Sequence, residues 1–197
     1  MRNLKLLAVH ANNWDYSSWK TKKASPDSKC FYTNSTLSSP TAAAATGCDD
    51  FWSNEAARAL YKDHLKLIVN RVNKYTGLAW RDDPTIFANG LVNEPRCESS
   101  SNSVQAAAEC AAALQSFIED TAAALKSPEF DPNHLVTVGE DGFFGAQSCL
   151  NDIANPVGSR GYKNLGPPGS GWPLRTGQDS LSNHAPEAID FIAIHLW

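Results

Sequence analysis

No window of this sequence approaches 18 uninterrupted apolar residues, so nothing in it reads as a membrane span. No Lys/Arg run occurs in its 197 residues, and the formal charge is −4 with a pI near 5.7. Nucleic acid and anionic membranes are poor partners for such a chain, and a neutral or polar substrate suits it better. No two cysteines stand in C-x-x-C spacing, which leaves zinc and thioredoxin-like sites without support; no metal or cofactor is expected. Residues 1–15 lack the charged-then-apolar order of a signal peptide. A glycine-rich phosphate turn is also missing, which weakens a nucleotide-binding doubly wound sheet.

What is present describes a chain able to bury a core, with 42% hydrophobic and 19% charged residues, as one domain or part of a larger one. Of its five cysteines, Cys30 and Cys48 bracket a stretch rich in Ser, Thr and Ala, and Cys97 and Cys110 bracket a shorter polar one. Structural disulfides of the kind that staple loops in secreted proteins fit this placement, with Cys149 the odd residue and the pairing left open. Asn34-Ser35-Thr36 in the first stretch is a glycosylation sequon, which also agrees with export.

Strand and helix signals alternate along the chain. LKLLAVHANNWD (4–15) reads as a strand running into a polar loop, and 16–50, with no sustained period, as an ordered loop at best. From Ser53, taken as an N-cap, Ala57, Tyr61, Leu65, Ile68, Val72 and Tyr75 follow at steps of three and four, a helical stripe that Gly77 stops. Thr85 to Val92 form a second strand, and Ser103 opens a second helix that runs to Leu125. HLVTVGEDGF (134–143) is a third strand. Residues 144–187, rich in Gly, Pro, Asn and Ser, are expected to form a functional loop or a short irregular helix. IDFIAIHLW (189–197) is a fourth strand.

Such alternation predicts an α/β fold of parallel βα units. The polar residues sit at the strand ends: Asn12-Asn13-Trp14-Asp15, Asn93-Glu94, Glu140-Asp141 and His195-Leu196-Trp197. In a (β/α)8 TIM barrel these ends share one face, where active sites are built. Glu94, held before Pro95 in extended backbone, is placed to supply a proton, and Asn93 to orient a substrate hydroxyl. A Glu in a surface turn would give the same tripeptide; its position after a buried strand favours the site. Trp14 and Trp197 suit stacking on a sugar ring, and His195 suits holding a carboxylate or a hydroxyl, although each residue alone is more often structural. Glu140 or Asp141 would be the natural second carboxylate of a glycosidase pair, but adjacent strand residues point to opposite faces, so only one faces the cleft.

YKDHLKLIVNRVNKYTGLAWRDDPTIFANGLVNEPRC (61–97), DPNHLVTVGEDGFFG (131–145) and IDFIAIHLW, with the early ANNWD, resemble the endo-β-1,4-mannanases of glycoside hydrolase family 5, in the plant and fungal type. The resemblance implies an incomplete barrel, with residues 4–15, 85–94, 134–143 and 189–197 as strands three to six, and with two strands missing on either side. It implies a secreted, monomeric hydrolase of mannan-type polysaccharide that retains configuration, with Glu94 as acid/base and Asn93, Trp14, His195 and Trp197 binding substrate. The family's nucleophilic Glu lies on the seventh strand, outside this sequence, which outweighs the reading of Glu140 or Asp141 as second carboxylate. Trp197 stands where many members carry a tyrosine, Asp141 where Glu is usual, and Gly90 where a larger residue is common. An inactive fragment or carbohydrate-binding remnant, or a family 5 β-1,4-glucanase, are the alternatives.

Overall fold

The structure, a computed structural model, describes residues 4–14, 28–36, 47–97, 104–145 and 176–195. Within them, strands β1 (Leu6–Val9), β2 (Ile86–Asn93), β3 (Leu135–Glu140) and β4 (Ala193–Ile194) form one four-stranded sheet in chain order, every pair parallel. Helices α1 (Lys29–Thr36), α2 (Glu55–Val69), α3 (Val104–Leu125) and α4 (Ser180–Asn183) lie between the strands. Parallel strands in sequential order with helical crossovers are the repeating unit of the (β/α)8 barrel, of which this is an incomplete copy. Among the described residues β1 and β4 are the edge strands, and Leu6, Leu7, Val9, Ile192 and Ile194 are exposed there.

The core lies between the sheet and the two long helices. Ala57, Tyr61, Leu65 and Val69, four residues apart on α2, are fully buried against Leu91, Val92, Val136 and Val138 of the strands and against Leu114, Phe117 and Ile118 of α3. Tyr32, Phe51, Trp52, Tyr61 and Phe117 add an aromatic cluster with ring centroids 5.0–5.7 Å apart in its contacting pairs. The Tyr61 hydroxyl donates to the Leu91 carbonyl, and burial pushes its phenol well above the usual range, so it stays a donor.

Several expected boundaries move. The described residues of the stretch 16–50 form α1 and the start of a 3-10 turn (Cys48–Trp52), joined by a Cys30–Cys48 disulfide. A second disulfide joins Cys97 and Cys110. Asn54, not Ser53, caps α2, its side chain accepting the Ala57 N–H at 3.0 Å. The helix ends at Val69, not Tyr75, because the next side chain, Asn70, donates to the Lys66 carbonyl and to Glu129 O, and the chain doubles back through a Val72–Ala79 bridge. Gly77, at φ +73°, serves that return and not the helix end. β4 is two residues long, since Asp190 takes over the ladder: its side chain accepts the Val136 N–H and its own N–H donates to the Val136 carbonyl. Ser103, the expected start of α3, lies outside the described residues.

Asn54→Ala removes the cap from an otherwise unchanged helix and is expected to cost about 1 kcal/mol in urea unfolding, with the m-value unchanged. A loss no larger than that of Ser53→Ala would restore the cap to Ser53.

His10, just past β1, is buried and faces Asn89, whose Oδ1 accepts from it at 2.9 Å and from Trp80 Nε1 at 3.1 Å, while Asn89 Nδ2 donates to Asp131 Oδ2. Burial holds its pKa below the ordinary 6.5, against the raising effect of the Asn89 hydrogen bond. The neutral form is therefore favoured on folding. Stability from this group is fully present above the unfolded-state value and is lost as pH falls from 6.5 through the lowered folded value. His10→Gln, which keeps a donor for Asn89, is expected to flatten this limb in unfolding curves taken between pH 7 and 5; an unchanged slope would count against His10 as its source.

Candidate active site

Backbone hydrogen bonds gather the strand tips. Asn93 N–H donates to the Ala11 carbonyl at 2.9 Å, Asn13 N–H to Asn93 O at 3.0 Å, and Glu94 N–H to Gly139 O at 2.8 Å, which ties the tips of β1, β2 and β3 together. Glu94 sits at φ +48°, in the left-handed region, and not in the extended backbone expected before proline. Its N–H is committed to the neighbouring strand, so the tip of β2 turns there. A non-glycine residue held this way stores roughly 1–3 kcal/mol of strain, which collects at functional positions.

The carboxyl group of Glu94 is buried, with only 4% of the residue exposed. Trp14 Nε1–H donates to its Oε2 at 2.6 Å, and His195 Nδ1 lies 3.0 Å from Oε1. Indole nitrogen only donates, so Trp14 fixes that oxygen as an acceptor; imidazole donates or accepts according to tautomer and can follow a proton on Oε1. His195 also donates its backbone N–H to Glu140 O, and its ring lies over Gly139, where a Cβ would stand 2.9 Å from Nε2. A side chain at 139 would displace the imidazole, so glycine leaves the ring its place beside Glu94. Asn93 Nδ2 donates to Asn12 Oδ1 at 3.3 Å.

A second ring of contacts holds the segment 93–96. The Arg96 guanidinium stacks on Trp14, 4.7 Å from its ring centroid, and donates through Nε and Nη2 to both oxygens of Asp141, at 3.0 and 2.7 Å. Gln178 Nε2 donates to Asp141 Oδ2 and to the Pro95 carbonyl, and Gln178 Oε1 accepts the Asp141 N–H. Lys29, at the start of α1, donates to Asn13 Oδ1, to Arg96 O and to Asp49. Trp52 Nε1 donates to Arg96 O.

Glu140 and Asp141 do point apart, but neither stands as a second carboxylate facing Glu94. Glu140 is fully buried, accepts from Ser180 and Asn183 of α4, and has His184 3.8 Å away. Burial pushes its carboxyl above the usual range, against the lowering effect of the Asn183 hydrogen bond. Asp141 is bound to Arg96. Both acids are thus occupied in holding the site's frame, which corrects their reading as glycosidase carboxylates. Trp14, Asn93, Glu94 and His195 come together as expected, though Arg96 takes one face of Trp14; Trp197 and Asp15 lie outside the described residues. Arg96 and Gln178 are missed by sequence reasoning: Arg96 follows Pro95 with no local sign of Asp141 as its partner, and Gln178 lies in the Gly- and Pro-rich stretch 144–187. Among the described residues, no three His, Cys, Asp or Glu side chains form a group able to hold a metal ion, and no helix is long and apolar enough to cross a membrane.

The model of the glycoside hydrolase family 5 β-mannosidase-like family matches residues 2–154. The chain is 36% identical to a mannan endo-1,4-β-mannosidase 4 of Oryza sativa subsp. japonica over 152 residues, 77% of this chain and 28% of that protein. It is 34% identical to a mannan endo-1,4-β-mannosidase 1 of Arabidopsis thaliana over 149 residues, 76% of this chain and 30% of that protein. Among solved structures, the endo-1,4-β-mannanase of Rhizomucor miehei superposes with a TM-score of 0.65 at 28% identity, covering 98% of this chain and 44% of that one. The hyperthermostable endo-1,4-β-D-mannanase of Thermotoga petrophila gives 0.64 at 28% identity, covering 98% and 43%. The chain therefore spans less than half the length of each of these relatives.

Proposed function

Since the chain belongs to the glycoside hydrolase family 5 β-mannosidase-like family, we propose that it supplies the third to sixth staves of a barrel that hydrolyses internal β-1,4-mannosidic bonds in mannan-type polysaccharides. Glu94 is the acid/base of that reaction. The observation that carries this reading is the setting of Glu94: a buried carboxyl at a strand tip, on a left-handed backbone, with Trp14 on one oxygen and His195 on the other.

In the first step Glu94 gives its proton to the glycosidic oxygen as a carboxylate from a strand outside this chain attacks the anomeric carbon, and the aglycone leaves. In the second, Glu94 takes a proton from the water that releases the glycosyl-enzyme, with net retention. Trp14 fixes Oε2, so the proton that moves is carried on Oε1, where His195 can accommodate either state by changing tautomer. Asn93 orients a substrate hydroxyl, and Trp14 and Trp197 pack on sugar rings. The two disulfides support synthesis in an oxidising, extracellular route, and the acidic chain supports a soluble monomer acting on a neutral polymer.

The test is to assay the polypeptide that carries a complete barrel on mannan and on cellulose, and to follow the anomeric configuration of the first product by NMR. Cleavage of mannan giving the β-anomer first supports the reading. Cleavage of cellulose alone moves the chain to the glucanases, and an α-anomer first rules out the retaining mechanism.

A further inference from the structure

The sequence holds one Asn-x-Ser/Thr sequon, Asn34-Ser35-Thr36, and the active-site reading makes no use of it. It occupies the last turn of α1, whose Lys29, Cys30, Tyr32, Thr33 and Thr36 are buried while Phe31, Asn34 and Ser35 face outward. An eight-residue helix with a narrow exposed stripe leaves few positions where a bulky group would not collide with the core, and Asn34 is one of them. Phe31, three residues earlier and hence a neighbour on the same helical face, is 40% exposed, an apolar ring that packs edge-on against Tyr32.

We infer that Asn34 is an N-glycosylation site, and that the first sugar of its glycan covers Phe31. In the transfer, the bond between the anomeric carbon of a lipid diphosphate-linked oligosaccharide and its phosphate oxygen breaks. The anomeric carbon bonds to Asn34 Nδ2, which loses a proton, and the lipid diphosphate leaves. The sequon is read through the hydroxyl two residues after the asparagine. In the folded chain Thr36 is 1% exposed and its Oγ1–H donates to the Thr33 carbonyl at 2.7 Å, so that hydroxyl is closed to a transferase. Transfer therefore precedes the folding of α1. Once attached, the sugar sets its face of C–H groups on the Phe31 ring, which converts an exposed apolar patch into a hydrated one.

The experiment is secretion of the full natural polypeptide from a eukaryotic host, with intact mass measured before and after peptide N-glycosidase. The expected result is a glycan-sized mass excess that the enzyme removes, leaving Asp at position 34, and that is absent from Asn34→Gln. A secreted wild-type chain at its bare polypeptide mass overturns the site, as does an excess at this peptide that survives in Asn34→Gln. The sugar–ring contact has its own readout: Phe31→Ala should lower the melting temperature more in the glycosylated protein than in protein made without glycan, and equal shifts would overturn it. Neither readout involves hydrolysis of mannan, so a failure here is separable from a failure of the activity reading.

Discussion

Glu94→Gln, made in the polypeptide with the complete barrel, is expected to lower mannan turnover by about 10²- to 10⁴-fold, the usual contribution of a positioned acid/base. The variant should still fold. Glutamine keeps the shape of the side chain, its carbonyl oxygen can accept the Trp14 indole N–H, and its amide group then faces His195 Nδ1, which becomes an acceptor by changing tautomer. Both wild-type partners of the side chain, Trp14 and His195, keep a hydrogen bond, so the melting temperature should move little. The kinetic signature is more specific than the loss. An aryl mannoside with a strongly acidic leaving group needs no protonation, so its first step should survive while the release of the glycosyl-enzyme slows, and a product burst should appear. Unchanged mannan turnover would remove Glu94 from the mechanism. A loss equal for both substrates, with no burst, would point to disrupted binding and not to lost acid catalysis.

How far the fold could be read depended on the range of the forces involved. α3 was legible to its last residue because the signals are local: Ala111, Leu114, Ile118, Thr121 and Leu125 follow at steps of three and four, and Ser127-Pro128 comes just after. The parallel order of the strands was legible from alternation, and the convergence of Trp14, Glu94 and His195 from their shared position at strand ends. What failed were features set by distant partners. Asn70 stops α2 partly by reaching Glu129, 59 residues away. The left-handed turn at Glu94 comes with a hydrogen bond to Gly139, against the local bias of Pro95. Asp190 shortens β4 by occupying Val136 on another strand. Glu140 could be read as a cleft carboxylate because nothing nearby in sequence announced Ser180, Asn183 and His184, which arrive 40 residues later and bury it. α1 was missed for the same reason, since its cover comes from Phe51, Trp52 and Tyr61 and its own eight residues show no strong period.

The acid that is not a cleft carboxylate should prove costly to remove. The Asp141 side chain is 1% exposed and that of Arg96 is 11% exposed, and the two make a bidentate ion pair. A desolvated pair of this kind adds little over a well-packed apolar pair, but taking away one partner leaves the other charge without its main compensation. Asp141→Ala is therefore expected to destabilise by about 3 kcal/mol, read as a lowered midpoint in denaturant. Gln178 would lose its acceptor as well, and with it part of the hold on the Pro95 carbonyl. The effect should travel inward by contact: a freed guanidinium no longer stays on Trp14, Trp14 no longer holds Glu94 Oε2 in one place, and kcat should fall about tenfold in molecules that remain folded. Arg96→Met separates charge from geometry. Added to Asp141→Ala it removes the stranded cation, so the double variant should be more stable than the single acid variant while turnover stays low. Asp141→Glu, which keeps the charge on a longer arm, should lose less of both. If Asp141→Ala unfolded within 0.5 kcal/mol of the wild type, the pair would be an ordinary surface contact, and the support of Trp14 would have to be sought in Asn12 and Asn13 alone.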